Sequence, residues 1–213
     1  MIKKLLIYVL CLFLILILII LYKAYAHQPS FSEVDNKEKI ILDESKPIQN
    51  LSKSITYKTI SHPDYKKFNY EEFEKFLSWL EEEYSLIFEK LEKKYIGKSL
   101  LLKWQGNNNN LNPILLTGHY DVVPVDDESG LAWINEPFAG IIDDNYVWGR
   151  GALDDKSGVI AILEAINYLL TKNFEPERTA FFAFGFDEEI GGNRGAAKIA
   201  EFFIEEQITL EWS

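Results

Sequence analysis

Cysteine is almost missing from this sequence: of 213 residues only Cys11 carries a thiol, and it lies inside an apolar N-terminal run. A disulfide framework and a cysteine-ligated zinc site are therefore excluded from the rest of the chain. Histidine is scarce too, with three copies, so any metal must be held by histidine together with carboxylates. Bases are outnumbered, 22 against 33 acids, for a net charge of −11. Three of those bases, Lys3, Lys4 and Lys23, fall in residues 1–26, which hold no acid, so the remainder carries nineteen bases against 33 acids, a net −14. Such a surface repels phosphate backbones, and nucleic acid is not an expected partner. The densest basic stretch, residues 90–98, is interleaved with Glu92 and reads as a solvated helix end. No internal repeat is visible, and Gly149-Arg150-Gly151 lacks the third glycine of a dinucleotide-binding fingerprint.

What the chain does have begins with an almost unbroken apolar run from Leu5 to Tyr22, preceded by Lys3 and Lys4 and ended by Lys23. Its length is close to what a bilayer core of about 30 Å requires, and long for a cleaved signal. Ala24-Tyr25-Ala26 nevertheless has the form of a small-residue cleavage site. Residues 1–26 therefore read as a membrane anchor or a signal peptide, with a buried core helix as the remaining alternative. By the positive-inside rule either leading reading exports residue 27 onward, giving an extracytoplasmic domain tethered to the membrane, or a secreted one if the signal is cleaved. Residues 27–53, with Pro29, Pro47 and many charges, read as a tether leading into the domain, and 54–213 as the domain itself.

The remainder has the makings of one α/β core, since 47% of the chain is hydrophobic and 14% aromatic. Between Tyr70 and Tyr95 apolar residues fall at Phe73, Phe76, Leu77, Leu80, Tyr84, Ile87, Phe88 and Leu91, the spacing of one helical face, with Asn69 as a plausible cap. Ser99 to Trp104 reads as a strand, 106–112 as a polar turn, and Pro113 to Thr117 as a strand running into Gly118-His119. A weaker strand covers Tyr146 to Trp148. Gly158 to Thr171 has the apolar density of a buried helix, and Thr179 to Phe186 that of a central strand covered on both faces. Gly191-Gly192 breaks the chain before a last helix, roughly Arg194 to Glu206. The alternation predicts an α/β three-layer sandwich with a largely parallel sheet, whose ligands sit beyond the carboxyl ends of the strands.

Three segments end an apolar run and at once present metal-type ligands: Leu115 to Asp121, Trp148 to Lys156, and Phe184 to Glu189. A lone histidine after a strand is more often a hydrogen-bonded loop residue, and His27 and His62 take that reading. His119 differs, because Asp121 two residues on can lie on the same side of an extended strand, accept one ring N–H and aim the other nitrogen at a metal. Adjacent acids such as Asp154-Asp155 and Asp187-Glu188-Glu189 are usually solvated. Here they adjoin apolar segments and glycines, and a bound dication would remove the cost of burying them.

In order and separation these segments resemble the M20 family of zinc-dependent hydrolases, which includes aminoacylases, carboxypeptidases and deacetylases. The likeness runs from about Ser54 to the C-terminus and is strongest from Ile114 to Ala196. The Gly-His-Tyr-Asp-Val-Val-Pro-Val run at 118–125 and the Trp-Gly-Arg-Gly-Ala-Leu-Asp-Asp-Lys run at 148–156, with Trp133, Pro137-Phe138 and Gly140 between them, look most like the carboxypeptidase S and N-acyl-amino-acid hydrolase branch. The resemblance implies a zinc-exopeptidase-like catalytic domain holding two zinc ions, with cobalt or manganese as acceptable substitutes. It would make His119 a ligand of one zinc, Asp121 its orienter, Asp154 the bridge between the two, Glu189 a ligand of the other, and Glu188 the general base on the bridging water. Asp155 and Lys156 match the motif without touching metal, and Ser157 replaces a glycine common in the family. Implied substrates are small peptides or N-acyl amino acids, and the full-length protein is a candidate homodimer.

The family also uses a later acidic ligand and a far C-terminal histidine, whereas no histidine follows His119 here and no aspartate follows Asp187. The sequence therefore reads as the N-terminal part of such a catalytic domain, lacking the lid or dimerisation domain and the C-terminal part, and inactive or nearly so by itself. Glu201, Glu205, Glu206 and Glu211 read as a helical surface face rather than substitute ligands. The alternative is a membrane-tethered domain that keeps the fold and has lost the chemistry.

Overall fold

The computed structural model describes residues 2–27, 43, 45–125 and 133–212, which divide into two compact units, Met1–Leu42 and Asp43–Ser213. In the first unit, α1 (Ile2–Ala26) is a single helix. Its segment Lys3–Ala26 has a mean hydropathy of 3.3 and no buried residue, long and apolar enough to cross a membrane. At about 1.5 Å per residue such a helix exceeds a hydrocarbon core of about 30 Å. Most of the expected tether, residues 28–42 and 44, lies outside the described residues.

The second unit is built on a four-stranded sheet in the order β1 (Glu92–Ile96), β2 (Ser99–Trp104), β6 (Ala180–Gly185) and β3 (Ile114–His119). It is mixed rather than largely parallel: β2 runs antiparallel to both β1 and β6, and only β3 and β6 are parallel within it. The cause is the connections. Ile96 pairs with Ser99 across the two-residue turn Gly97-Lys98, with Gly97 at φ +63°, and a turn that short joins only antiparallel strands. Between β3 and β6 the chain has room for a crossover through α5 (Lys156–Thr171), so those two strands run the same way.

The helix expected over 70–95 is α3 (Tyr70–Glu83) and α4 (Ser85–Lys90), broken at Tyr84, followed by strand β1. Its charged residues do face solvent, but the state of Glu92–Ile96 is set by pairing with β2 and not by local periodicity. Asn69 occupies the cap position of α3 without a side-chain hydrogen bond.

Side chains of β6 alternate as a pleated strand requires. Phe182 and Phe184 join a core with Phe73, Phe76 and Leu80 of α3 and Val159 and Leu163 of α5. Phe181 and Ala183 face the other way, onto Ile199 and Phe203 of α6 (Ala196–Glu205). Helices thus cover both sheet faces, the expected three layers. Helix α2 (Ser45–Ile55) joins the thicker layer through Asn50, which donates to Glu164 of α5 at 2.7 Å, the same oxygen that accepts the Tyr84 hydroxyl at 2.8 Å. A small hairpin, β4 (Ile141–Asp143) and β5 (Tyr146–Trp148), turns on Asp144 and Asn145, both at positive φ, and delivers the chain to Gly149.

Candidate metal centre

Parallel pairing brings the chemistry together. His119 lies level with Gly185 in the β3–β6 register, and Tyr120 donates to the Gly185 carbonyl at 3.0 Å, so both strands end at one rim. Beyond β3 come His119 and Asp121; beyond β6 come Asp187, Glu188 and Glu189. The third arm is the N-terminus of α5. Asp155 caps that helix by accepting the Gly158 N–H at 3.2 Å, and its other oxygen accepts the His119 N–H at 3.3 Å. A Cβ on Gly158 would stand 2.3 Å from the capping oxygen, so a side chain there would displace the Asp155 carboxylate.

His119, Asp154 and Glu189 each offer one ligand atom, all within 4.8 Å of one another. His119 Nε2 lies 2.9 Å from Asp154 Oδ1 and 3.6 Å from Glu188 Oε2. On the inner side, His119 Nδ1 faces the Asp121 carbonyl at 3.1 Å and its Oδ1 at 3.3 Å, which leaves Nε2 turned outward toward the acids. Asp121 is fully buried and does more than orient the ring. Its Oδ1 accepts the Glu188 N–H at 3.0 Å and its Oδ2 the Glu189 N–H at 3.2 Å. One internal carboxylate therefore fixes the spacing between the histidine and the Glu188-Glu189 pair.

The electrostatics follow from this crowding. Burial alone would lower the His119 pKa, but hydrogen bonding and charge from Asp121, with Asp154 and Glu188, outweigh it and push it up to about 9. Burial raises the Glu189 carboxyl above its usual range, and the Asp154 charge raises it further while His119 opposes. A site that gathers this much negative charge around one imidazole calls for a cation, and an imidazole nitrogen with carboxylate oxygens is a zinc-type donor set. The residues fit the ion in kind.

Two features of the rim escape sequence reasoning. Lys156, beside the acids in the chain, is wholly buried and donates to the carbonyls of Ser54 at 2.8 Å and Tyr57 at 2.7 Å, with its Nζ 5.2 Å from the Phe76 ring centroid. Desolvation pushes its pKa down to about 7. Asp187, which reads as one more acid in a charged run, is wholly buried as well. The only sequence hint for either is the apolar company of these segments.

His62 accepts the Asp64 N–H in a loop, and His27 lies at the end of α1. Glu201, Glu205 and Glu206 are exposed along or just past α6, Glu201 pairing with Lys198, whereas Glu211, expected on the same helical face, lies beyond the helix and pairs with Arg178. Ser157 donates to the Leu153 carbonyl at 3.1 Å. Arg150 lies over the Trp133 ring at 5.2 Å and its backbone N–H reaches the Pro137 carbonyl, tying the segment that follows residues 126–132, which lie outside the described residues, to the turn after β5.

Residues 115–212 match the model of peptidase family M20/M25/M40. Among curated proteins, the chain is 45% identical over 166 residues to a probable carboxypeptidase S-like 2 of Dictyostelium discoideum, covering 75% of this chain and 31% of that one. It is 37% identical over 170 residues to carboxypeptidase S of Saccharomyces cerevisiae, covering 74% and 29%. Against an N-fatty-acyl-amino acid synthase/hydrolase of Xenopus tropicalis it is 47% identical over 105 residues, covering 49% and 20%. The chain thus spans about a third or less of the length of these relatives. Among solved structures, an M20 family metallo-carboxypeptidase from Sulfolobus solfataricus superposes with a TM-score of 0.60 at 23% identity, covering 80% of this chain and 36% of that one. Human carnosine dipeptidase 1 gives 0.57 at 19%, covering 76% and 35%. At those identities the likeness is one of fold.

Proposed function

Because the chain belongs, through residues 115–212, to peptidase family M20/M25/M40, we propose that it forms the metal-binding part of a di-zinc hydrolase that cleaves amide bonds of small peptides or N-acyl amino acids. The observation that carries this reading is the convergence of His119, Asp154 and Glu189 within 4.8 Å, backed by a buried Asp121. Bound zinc would supply polarisation of the scissile carbonyl and a lowered pKa for the attacking water. His119 and Glu189 would hold separate ions and Asp154 would lie between them. Asp121, through its carbonyl and carboxylate at Nδ1, would keep the His119 ring in the tautomer that leaves Nε2 free to ligate. Glu188, 58% exposed at its side chain, would take a proton from the water and return it to the leaving amine. Names of the relatives, carboxypeptidase S-like proteins and an N-fatty-acyl-amino acid synthase/hydrolase, support a substrate with an amide beside a free carboxylate.

Helix α1 would hold this domain at a membrane, with Lys3 and Lys4 on the cytoplasmic side and the metal centre on the other. Calorimetric zinc titration of the full chain tests the site. Glu189→Ala is expected to weaken binding at least tenfold, as loss of a direct ligand must exceed the effect of an outer partner, itself about 10 to 100-fold. Zinc affinity unchanged by Glu189→Ala would sink the reading in favour of a tethered domain without metal chemistry.

A further inference from the structure

The turn that carries Glu188 and Glu189 is closed by a second buried carboxylate. Asp187 Oδ2 accepts the Tyr65 hydroxyl at 2.9 Å and the Arg194 N–H at 2.8 Å, while its carbonyl accepts the Gly192 N–H at 2.8 Å. Residues 187–194 are thereby tied at both ends to one residue. Tyr65 comes from a 3-10 turn, Tyr65–Lys67, far earlier in the chain, and the Arg194 guanidinium lies 3.7 Å from its ring centroid. Gly195 completes the frame: a Cβ there would stand 2.4 Å from Asp187 Oδ1, so the carboxylate fills the space a side chain would need.

Resting on the di-metal reading above, we propose that Tyr65 and Asp187 are positioning residues, whose hydrogen bond fixes the turn that aims Glu189 at an ion and Glu188 at the attacking water. Neither belongs to the ligand cluster. Asp121 grips the Glu188 and Glu189 N–H groups from the β3 side, and Asp187 holds the two ends of the same turn from the β6 side. Two points of attachment define where Glu189 can reach; with one, the turn pivots about Asp121. Partners at this remove are ordinarily worth about 10 to 100-fold in metal affinity.

Cobalt(II) titration of the full chain in detergent, followed by visible absorption, tests the proposal without turnover. Tyr65→Phe deletes one hydroxyl and is expected to lower cobalt affinity about tenfold and to alter the absorption bands. Asp187→Asn keeps an acceptor oxygen and is expected to lose less than Asp187→Ala. Leu77→Ala loosens the core of α3 without removing any hydrogen bond of this turn and is expected to leave affinity and spectrum intact. Wild-type affinity and spectrum in Tyr65→Phe, when Glu189→Ala has lost both, would overturn the proposal and leave the metal reading standing. An equal loss in Leu77→Ala would overturn it too, by assigning the effect to general loosening. Wild-type cobalt binding in Glu189→Ala would remove the metal reading and the proposal together.

Discussion

The two halves of the candidate metal centre are built on opposite terms. His119 and Asp121 have side chains only 10% and 0% exposed, whereas Asp154 and Glu188 are 74% and 58% exposed. The inner half inherits its position from the β3–β6 register, and its polar groups are paired: Asp121 alone receives two backbone N–H groups and faces the imidazole. The outer half is set by short segments leaving α5 and β6, in water that screens its charges. Fold energy is thus concentrated in the inner half, and in the outer half it is the backbone that is anchored while the side chains reach into water.

Removing the inner carboxylate should have the largest effect. Asp121→Ala strands the Glu188 and Glu189 N–H groups, each costing about 1–3 kcal/mol when buried without a partner, while His119 Nδ1 keeps the Asp121 backbone carbonyl. A loss of about 2 kcal/mol or more in urea-induced unfolding of the metal-free chain is expected, with Asp121→Asn milder because it retains one acceptor. A loss below about 0.5 kcal/mol, the usual range for surface sites, would erase the distinction between the halves.

The pH dependence of stability separates the inner half from its foundation. His119 is pushed up to about 9 from about 6.5, so the native state binds the extra proton between those values. Its contribution is complete below about pH 6.5 and is lost as pH rises to about 9. Lys156 is pushed down to about 7 from about 10.5, so there the unfolded chain binds the extra proton, and stability is gained as pH rises through that window. In the metal-free chain the two slopes oppose each other between about pH 7 and 9. His119→Gln should leave a rising profile and Lys156→Met a falling one, read from urea midpoints across that range. Lys156→Met should in addition cost about 1–3 kcal/mol by stranding the Ser54 and Tyr57 carbonyls. Identical profiles in the two variants would show that neither group is coupled to folding as described.

How far this was legible in the sequence follows the same division. The apolar run of β6, the amphipathic spacing of α3 and the ligand segments at strand ends are local patterns, and the structure places them where periodicity does. Glu92–Ile96 is not a local pattern: its charges suit a helix end equally well, and only pairing with β2 makes it a strand. The same pairing is why the sheet is mixed. Asp121 was legible as a partner of His119 two residues away, but its bonds to Glu188 and Glu189 join residues 67 and 68 positions apart. Lys156 reads as a motif residue and Asp187 as one of three adjacent acids set against an apolar run, but the partners that let them be buried, at Ser54, Tyr57 and Tyr65, are linked to them by no spacing rule.

The smallest expected effect on folding comes from the outer half, and it sharpens the comparison because its effect on the ion should be large. Asp154 lies in water yet approaches His119 Nε2 at 2.9 Å and contributes to raising the Glu189 carboxyl. Asp154→Asn keeps the size and one acceptor, removes the charge and relieves that repulsion. Stability of the metal-free chain at pH 7 should change by less than about 0.5 kcal/mol, as at other solvated positions. The Glu189 carboxyl should titrate closer to its ordinary value, visible as a lower pH midpoint in the titration of its side-chain NMR signal. Zinc affinity should meanwhile fall more than in any variant of an outer partner, because the carboxylate that would serve both ions has lost its charge. A stability loss in Asp154→Asn comparable to that of Asp121→Ala would mean that the exposed half is as deeply tied to the fold as the buried one.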